Sequence, residues 1–598
     1  MRPTAEAYPR QTHPFLTLGR LAPGADLETA QEELSAIAAD LEATYPENEA
    51  RGVNLEAYSD VVFGPVRSAL LLLLGAVALV LLVACANVAN LLLAESSVRM
   101  REVAVRQAFG ASDGLIRRQF LVESLLLTGL GTVAGVALAY GGLDLMVAFA
   151  PDDLPRLSSA ELDLRVLAFT AGLGGAVAVL FGLLPSIQSR GLDLQGILKG
   201  QGSTRGTEGR AVRRYRSGLV VAEIALAVAL VVGAGILVRS FWELQAVDLG
   251  FGTAGILKAE YELPSSQYSG LPEINDFHQR FLERARQIPG VEAAAVAAQH
   301  PLDPGFTNSF TIVGREAQSR DHPEIRTRFI SPGYLDVVRL PLLEGRAIED
   351  GDLPDGPKVG VINQTAASRY FGDAGAVGQE MRFWGQTWRV VGVMGDERFR
   401  GPDRENEPAI YVSTSQLPWP RVTVLLRSDL DAPALTVEAG RILRELDPGL
   451  VLFDPVSLTS MLQESVSRPR FTATLLGLFA GLAMLLAMIG VYGVLNYAVV
   501  RRAPEVGIRL ALGASRGDVF KEVVGEGLRV TALGAALGAA MALATSRLLQ
   551  GLVFGISATD GTTYAVVIGL VLSAAVLAST FPALRASRTN PVALLKAE

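Results

Sequence analysis

Two short charged segments repeat one pattern. Glu102-Val-Ala-Val-Arg106-Gln-Ala-Phe-Gly110-Ala-Ser112 recurs 403 residues later as Glu505-Val-Gly-Ile-Arg509-Leu-Ala-Leu-Gly513-Ala-Ser515. An acid and an arginine at i and i+4 share a helix face and pair for ~0.3–0.5 kcal/mol. That is too little for stability alone to demand both copies. The pattern predicts short helices over 101–109 and 504–512. Gly110 and Gly513 would stand at the C′ position, where glycine takes a left-handed conformation at little cost. Pro504 suits a helix start, and an acid in the first turn complements the helix dipole. One further acid, Glu223, lies inside an apolar run. An intramembrane carboxyl is by default a functional candidate. It stands six residues from Ser217, ~9 Å along a helix, near enough to a membrane boundary to be hydrated. Packing or snorkelling and a proton- or gating-linked role both stay open for it.

Other chemistry is missing its residues. The four histidines (His13, His278, His300, His322) are scattered without metal-ligand spacing. The single cysteine, Cys85, excludes a disulfide or a cysteine zinc site within one chain. None of the five lysines (Lys199, Lys258, Lys358, Lys521, Lys596) follows a glycine. The phosphate-binding pattern G-x-x-x-x-G-K-[ST] therefore cannot occur here. H-E-x-x-H is absent too. No catalytic residue, cofactor site or metal site is expected, and the chain does not read as an enzyme.

The elements that hold these residues are membrane spans. The chain has 598 residues, 50% of them hydrophobic and 19% charged, too apolar for an ordinary soluble protein of this length. Seven long apolar runs occur: 68–94, 124–143, 166–189, 217–238, 471–500, 530–546 and 561–584. Each approaches the ~20 residues that a bilayer-crossing helix needs. The run 530–546 is the weakest, with room to lengthen toward Phe554 past Arg547. The net charge of −8 hides an asymmetry. Arginines crowd the loops after the first, third and fifth runs and the tail after the seventh, whereas 144–165 has two bases against five acids. Basic loops mark the cytoplasmic side. The N-terminal 65 residues and the segment 245–470 then lie outside the cytoplasm. Topology accounts for the basic loops without nucleic acid.

The 403-residue offset continues through the spans. Glu123 matches Glu526, Gly131 matches Gly534 and Gly135 matches Gly538. With a six-residue gap, Pro185 to Lys199 matches Pro582 to Lys596. A three-span block is thus present twice. Phe15 to Leu18 reads as a strand before a helix with apolar Leu27, Ala30, Leu34, Ile37 and Leu41. Val422 to Leu426, followed by Leu435, Ala439, Ile442 and Leu446, is its counterpart. Both helices have the 3.6 period of one buried face. Residues 1–65 therefore read as the last part of an external domain whose full version is 245–470. The first half lacks a counterpart of about 217–420. The coding sequence upstream of Met1 is expected to hold it.

The external segment alternates short strands and helices. Asp276 to Arg286 predicts a helix, Val359 to Asn363 a strand leading into a helix over Gln364 to Tyr370, and Trp388 to Val393 a strand that ends in a turn at Gly395-Asp396. Trp384, Trp388, Tyr334 and Phe371 read as core aromatics. The segment resembles the periplasmic core domain of MacB-like permeases, carried by Phe329-Ile-Ser-Pro-Gly-Tyr334, Pro341-Leu-Leu-Glu-Gly-Arg346, Val361-Ile-Asn363 with Arg369-Tyr370, and Trp388-Arg-Val-Val-Gly-Val393. The three-span blocks resemble FtsX-type permease domains through the repeated Glu-x-x-x-Arg-x-x-x-Gly-Ala-Ser segment. Val220 to Phe241, with Gly233-Ala-Gly235 and Arg239-Ser-Phe241, resembles the opening span of such a unit.

The resemblance implies a polytopic α-helical membrane protein of seven spans with an α+β extracytoplasmic domain. Its parts would be a remnant of a first external domain (1–65), a permease domain (66–200), an opening span (217–243), the periplasmic core domain (245–470) and a second permease domain (471–598). It implies a multi-pass permease subunit of a type VII ABC transporter in the inner membrane. A separate ATPase, as a dimer on the cytoplasmic face, would drive the external domain for export or efflux, with an extracytoplasmic adaptor as a further possible partner. Glu102, Arg106, Gly110, Ser112, Glu505, Arg509, Gly513 and Ser515 would then form the ATPase-coupling interface. A regulator of an extracytoplasmic enzyme and a secondary transporter are the rival readings. The latter would need polar groups at mid-membrane.

Overall fold

A computed structural model describes residues 17–45, 48, 52–109, 112–150, 160–188, 208–315, 324–512 and 514–588. It divides into two compact units. One comprises Met1–Val61 and Leu244–Val466, the other Val62–Glu243 and Ser467–Glu598. The chain opens with α1 (Leu27–Thr44), then the long helices α2 (Tyr58–Ala108), α3 (Asp113–Phe149), α4 (Leu164–Gln188) and α5 (Glu208–Gln245). The α+β region follows with β1 (Ile256–Glu262), α6 (Leu271–Ala285), β2 (Val291–Ala297), β3 (Phe306–Asn308), β4 (Thr311–Ile312) and β5 (Ile325–Ile330). It continues through α7 (Tyr334–Val338), β6 (Leu342–Gly345), β7 (Val359–Asn363), α8 (Gln364–Tyr370), β8 (Glu380–Phe383) and β9 (Gln386–Met394). Then come β10 (Ala409–Ser413), β11 (Arg421–Ser428), α9 (Ala432–Leu446), β12 (Phe453–Ser457) and α10 (Leu458–Ser465). The last helices are α11 (Ser467–Arg501), α12 (Ala503–Ala511), α13 (Arg516–Leu549) and α14 (Gly561–Ser587).

The α+β unit is built on one mixed sheet in the order β12-β1-β11-β2-β5-β10-β7-β9-β8-β4, with β3 on β5 and β6 on β9. The pairs β5–β10 and β7–β9 are parallel. Helices α6 and α9 lay Phe277, Phe281, Leu435 and Ile442 against Tyr261, Val296 and Val424. α6 starts five residues before the predicted Asp276, because Glu273 reaches back to the Gly270 amide at 3.0 Å and Pro272 favours a first turn. The quoted sequence motifs hold the fold together. Tyr334 and Tyr411 donate their hydroxyls to the buried Glu397 at 2.7 and 2.8 Å. Asn363 caps α8 through the Ala366 amide at 3.0 Å. Arg346 grips Asp352 with two nitrogens at 2.7 and 2.9 Å. Trp388, Tyr334 and Phe371 are buried, as core aromatics should be. Trp384 is half-buried at φ +53 on the β8–β9 turn, and its indole donates to Asn308 Oδ1 at 2.7 Å.

Two expectations near the N-terminus do not hold. The strand expected over Phe15 to Leu18 does not form in its described part: residues 17–20 lie in no strand, and Leu18 is exposed. A lone strand has no ladder to join. The apolar face of α1 has the period of a buried one, yet α1 contains no buried residue; Leu27 and Ile37 are exposed.

Among the described residues of the other unit, six helices are long and apolar enough to cross a bilayer: 66–90, 114–149, 214–245, 467–501, 516–552 and 561–587. The seventh expected span corresponds to α4, whose described apolar stretch, Leu164–Val179, is shorter. The weak run at 530–546 does extend past Arg547, as a helix that runs to Leu552. The core of this unit gathers Val220, Val228, Leu476, Ala483, Ala535 and Val567 around α5, α11, α13 and α14.

Candidate functional site

Only one of the two short helices predicted around the repeated charged segments is separate. In the second repeat α11 stops at Arg501 and α12 begins at Ala503, with Pro504 in its first turn. In the first repeat the corresponding segment is the end of the 51-residue helix α2. Position 504 corresponds to 101, an arginine. Arginine keeps the amide that proline lacks, so nothing interrupts the hydrogen-bond ladder there.

The charged side chains turn toward the next helix. Arg509 donates to Glu505 at 2.5 Å and to Glu522 of α13 at 3.1 Å. Arg502 pairs with Glu526 of α13 at 3.1 Å. In the first repeat Arg106 donates to Gln119 of α3 at 2.7 Å. Positions 119 and 522 differ by the same 403 residues as 106 and 509. Both repeats therefore make the same corner, an arginine tying the charged segment to the following span. Sequence reasoning named the arginines and missed Gln119 and Glu522; the repeat offset was the signal that could have found them.

The helix ends differ in quality. Ser515 caps α13, accepting the Asp518 amide at 3.2 Å while its own hydroxyl donates to the Asp518 carboxylate at 2.7 Å. Ser112 caps α3 without any side-chain bond, and Leu115, where the second repeat has Asp518, offers no acceptor for the reciprocal bond. At the end of α12 the Ala514 amide donates to the Arg509 carbonyl at 3.0 Å, the six-to-one bond of a Schellman ending. Gly110, Gly513 and the side chain of Glu102 lie outside the described residues. These arrangements offer rigid, hydrogen-bonded corners, with no metal-holding cluster among the described residues.

Glu223 is not hydrated at a boundary. Its side chain on α5 is fully buried and accepts a hydrogen bond from the Asn87 amide of α2. Six residues of helix separate it from Ser217, but its side chain reaches no solvent.

Residues 217–442 match the MacB-like periplasmic core domain. Residues 74–194 and 477–591 match the FtsX-like permease C-terminal domain, once in each repeat. The chain belongs to the MacB/FtsX-like ABC transporter permeases. It is 25% identical over 282 residues to the uncharacterized ABC transporter permease YknZ of Bacillus subtilis, covering 45% of this chain and 69% of that one. It is 24% identical over 278 residues to the pyoverdine export ATP-binding/permease protein PvdT of Pseudomonas aeruginosa, covering 44% and 41%. With the macrolide export ATP-binding/permease protein MacB of Neisseria gonorrhoeae it shares 25% over 286 residues, covering 43% and 41%. The match thus spans less than half the length of these last two. The extracellular domain of the transporter YknZ aligns over 33% of this chain and 100% of its own, at 19% identity and a TM-score of 0.23. As an FtsX/MacB-like permease the chain is membrane-embedded and of transporter rather than enzyme type.

Proposed function

We propose that this permease is a mechanical coupler with seven spans, α4 being the seventh, in the inner membrane. In this reading 1–65 and 245–470 are extracytoplasmic, 66–200 and 471–598 are permease domains, and 217–243 opens the second unit. A separate ATPase, acting as a dimer, seats on the two cytoplasmic corners and drives export or efflux by the external domain. The observation that carries this is the recurrence of one corner: Arg106 on Gln119 and Arg509 on Glu522. Two equivalent, hydrogen-bonded corners offer one seat to each half of a dimer. A corner tied to the next span passes a push along it, where a loose loop would absorb the push. The names of MacB and PvdT support export. Glu102, Arg106, Gly110, Ser112, Glu505, Arg509, Gly513 and Ser515 are the proposed contact residues.

The test is the reconstituted complex. Glu505→Lys with Glu102→Lys is expected to abolish permease-stimulated ATP hydrolysis while the protein still inserts. Full stimulation and unchanged co-purification of the ATPase would overturn the coupling assignment.

A further inference from the structure

Buried polar groups inside the membrane unit converge on one point between the repeats. Asn87 of α2 and Gly490 of α11 are equivalent residues, 403 apart, and so are Asn90 and Gly493. At both places the first repeat has asparagine where the second has glycine. The first pair meets directly: a Cβ at Gly490 would lie 3.0 Å from Asn87 Oδ1. The Asn87 amide group bridges three helices. One hydrogen goes to Glu223 Oε1 on α5, the other to the Leu486 carbonyl of α11 at 2.6 Å. A Cβ at Gly490 would also overlap Glu223 Oε2. Only glycine leaves that carboxyl its place.

The same seam contains unpartnered groups. Asn90 is 7% exposed and Arg216 4%. Both amide atoms of Asn90, Nε and Nη2 of Arg216, and Glu223 Oε2 have no hydrogen-bond partner among the described residues. Asn87, Asn90, Arg216, Gly490 and Gly493 line one cavity of about 20 Å³, room for a single water. Buried polar atoms that find no protein partner are ordinarily satisfied by such a water.

We propose that Asn87 and Glu223 form a latch, with one water bound beside it between Asn87, Asn90 and Arg216, that clamps the two permease repeats to each other at equivalent points. Relative movement of the repeats must break the bond from Asn87 to the Leu486 carbonyl, and, where α5 moves with the second repeat, the bond to Glu223 as well. The role of the latch in a working cycle rests on the coupler reading; the latch itself does not.

The purified chain in detergent or nanodiscs tests it. Gly490→Ala should lower the melting temperature by about 2–4 °C, and Glu223→Ala should remove most of that effect, because the added methyl then has space. Independently, Asn87→Cys with Gly490→Cys, in a Cys85→Ser background, should form a disulfide on mild oxidation. Additive losses in the Gly490–Glu223 cycle, or no disulfide in a folded double-cysteine protein, would overturn the latch. Replacing Asn90 by leucine should abolish a density peak in the cavity; an empty cavity in the unsubstituted protein would remove the water from the proposal. If the latch tests succeed and ATPase stimulation survives the glutamate substitutions, the coupler reading fails and the latch stands. The reverse pair of results fails the latch alone.

Discussion

The two permease repeats share one glycine pattern and use it differently. In the second, Gly534 and Gly538 of α13 form a Gly-x-x-x-Gly face on which α5 rests. A Cβ at Gly538 would come 2.5 Å from the Ala225 carbonyl oxygen, and one at Gly534 2.7 Å from Ile224 Cβ. In the first, nothing among the described residues lies within 4 Å of a Cβ at Gly131 or Gly135 of α3. Small residues let helix backbones approach closely in lipid, where packing rather than water expulsion drives association. The pattern is therefore a capacity for contact, and the neighbour decides whether it is used. The helix that fills it is the same one that carries Glu223 into the latch.

The strongest way to break this comparison is to fill the glycine faces. Gly538→Leu should destabilise the membrane unit by about 3 kcal/mol through overpacking against α5. Gly135→Leu should be nearly neutral in the same thermal melt. Equal losses would mean that the two faces are equally occupied. A pH titration sharpens the comparison by separating the external unit from both repeats. His278 is buried, donates or accepts through both ring nitrogens (Tyr261 hydroxyl at 2.6 Å, Trp419 carbonyl at 2.8 Å), and burial pushes its pKa down to about 4. Its neutral ring contributes fully above the unfolded value near 6.5. That contribution is lost as pH falls through 4, since the unfolded state binds the proton first. The loss approaches about 3 kcal/mol and should appear in tryptophan fluorescence of the external unit. His278→Gln should flatten the dependence; an unchanged slope would refute the assignment. The smallest expected effect lies at the caps. Ser515→Ala should cost about 1 kcal/mol, and Ser112→Ala close to nothing, because only Ser515 makes the reciprocal bonds with Asp518. Matching melting curves for the two alanine variants would contradict this difference.

Much of the architecture was legible because its signals are local. Charge-free runs, arginine-rich loops and a fixed offset of 403 residues can each be read without knowing what touches what. The helix over Gln364–Tyr370 and the strand around Trp388 followed from periodicity and turn residues. Misreadings arose where an element's fate depends on a neighbour. The apolar face of α1 has the right period but buries none of its residues. The segment after the first span repeats the charges of α12 but lacks its proline, so it continues α2 as one helix.

The sequence by itself determined that this chain is a duplicated membrane permease with an external α+β domain, because hydrophobic length, positive loops and repeated motifs are properties of the string of residues. Tertiary structure alone decided which arginine meets Gln119 or Glu522, which glycine pair receives a helix, and that Glu223 turns inward to Asn87. The glycine and glutamate outcomes depend on which side chains converge from segments up to 313 residues apart, as with Ala225 and Gly538, and a contact across that distance leaves no mark in either segment alone.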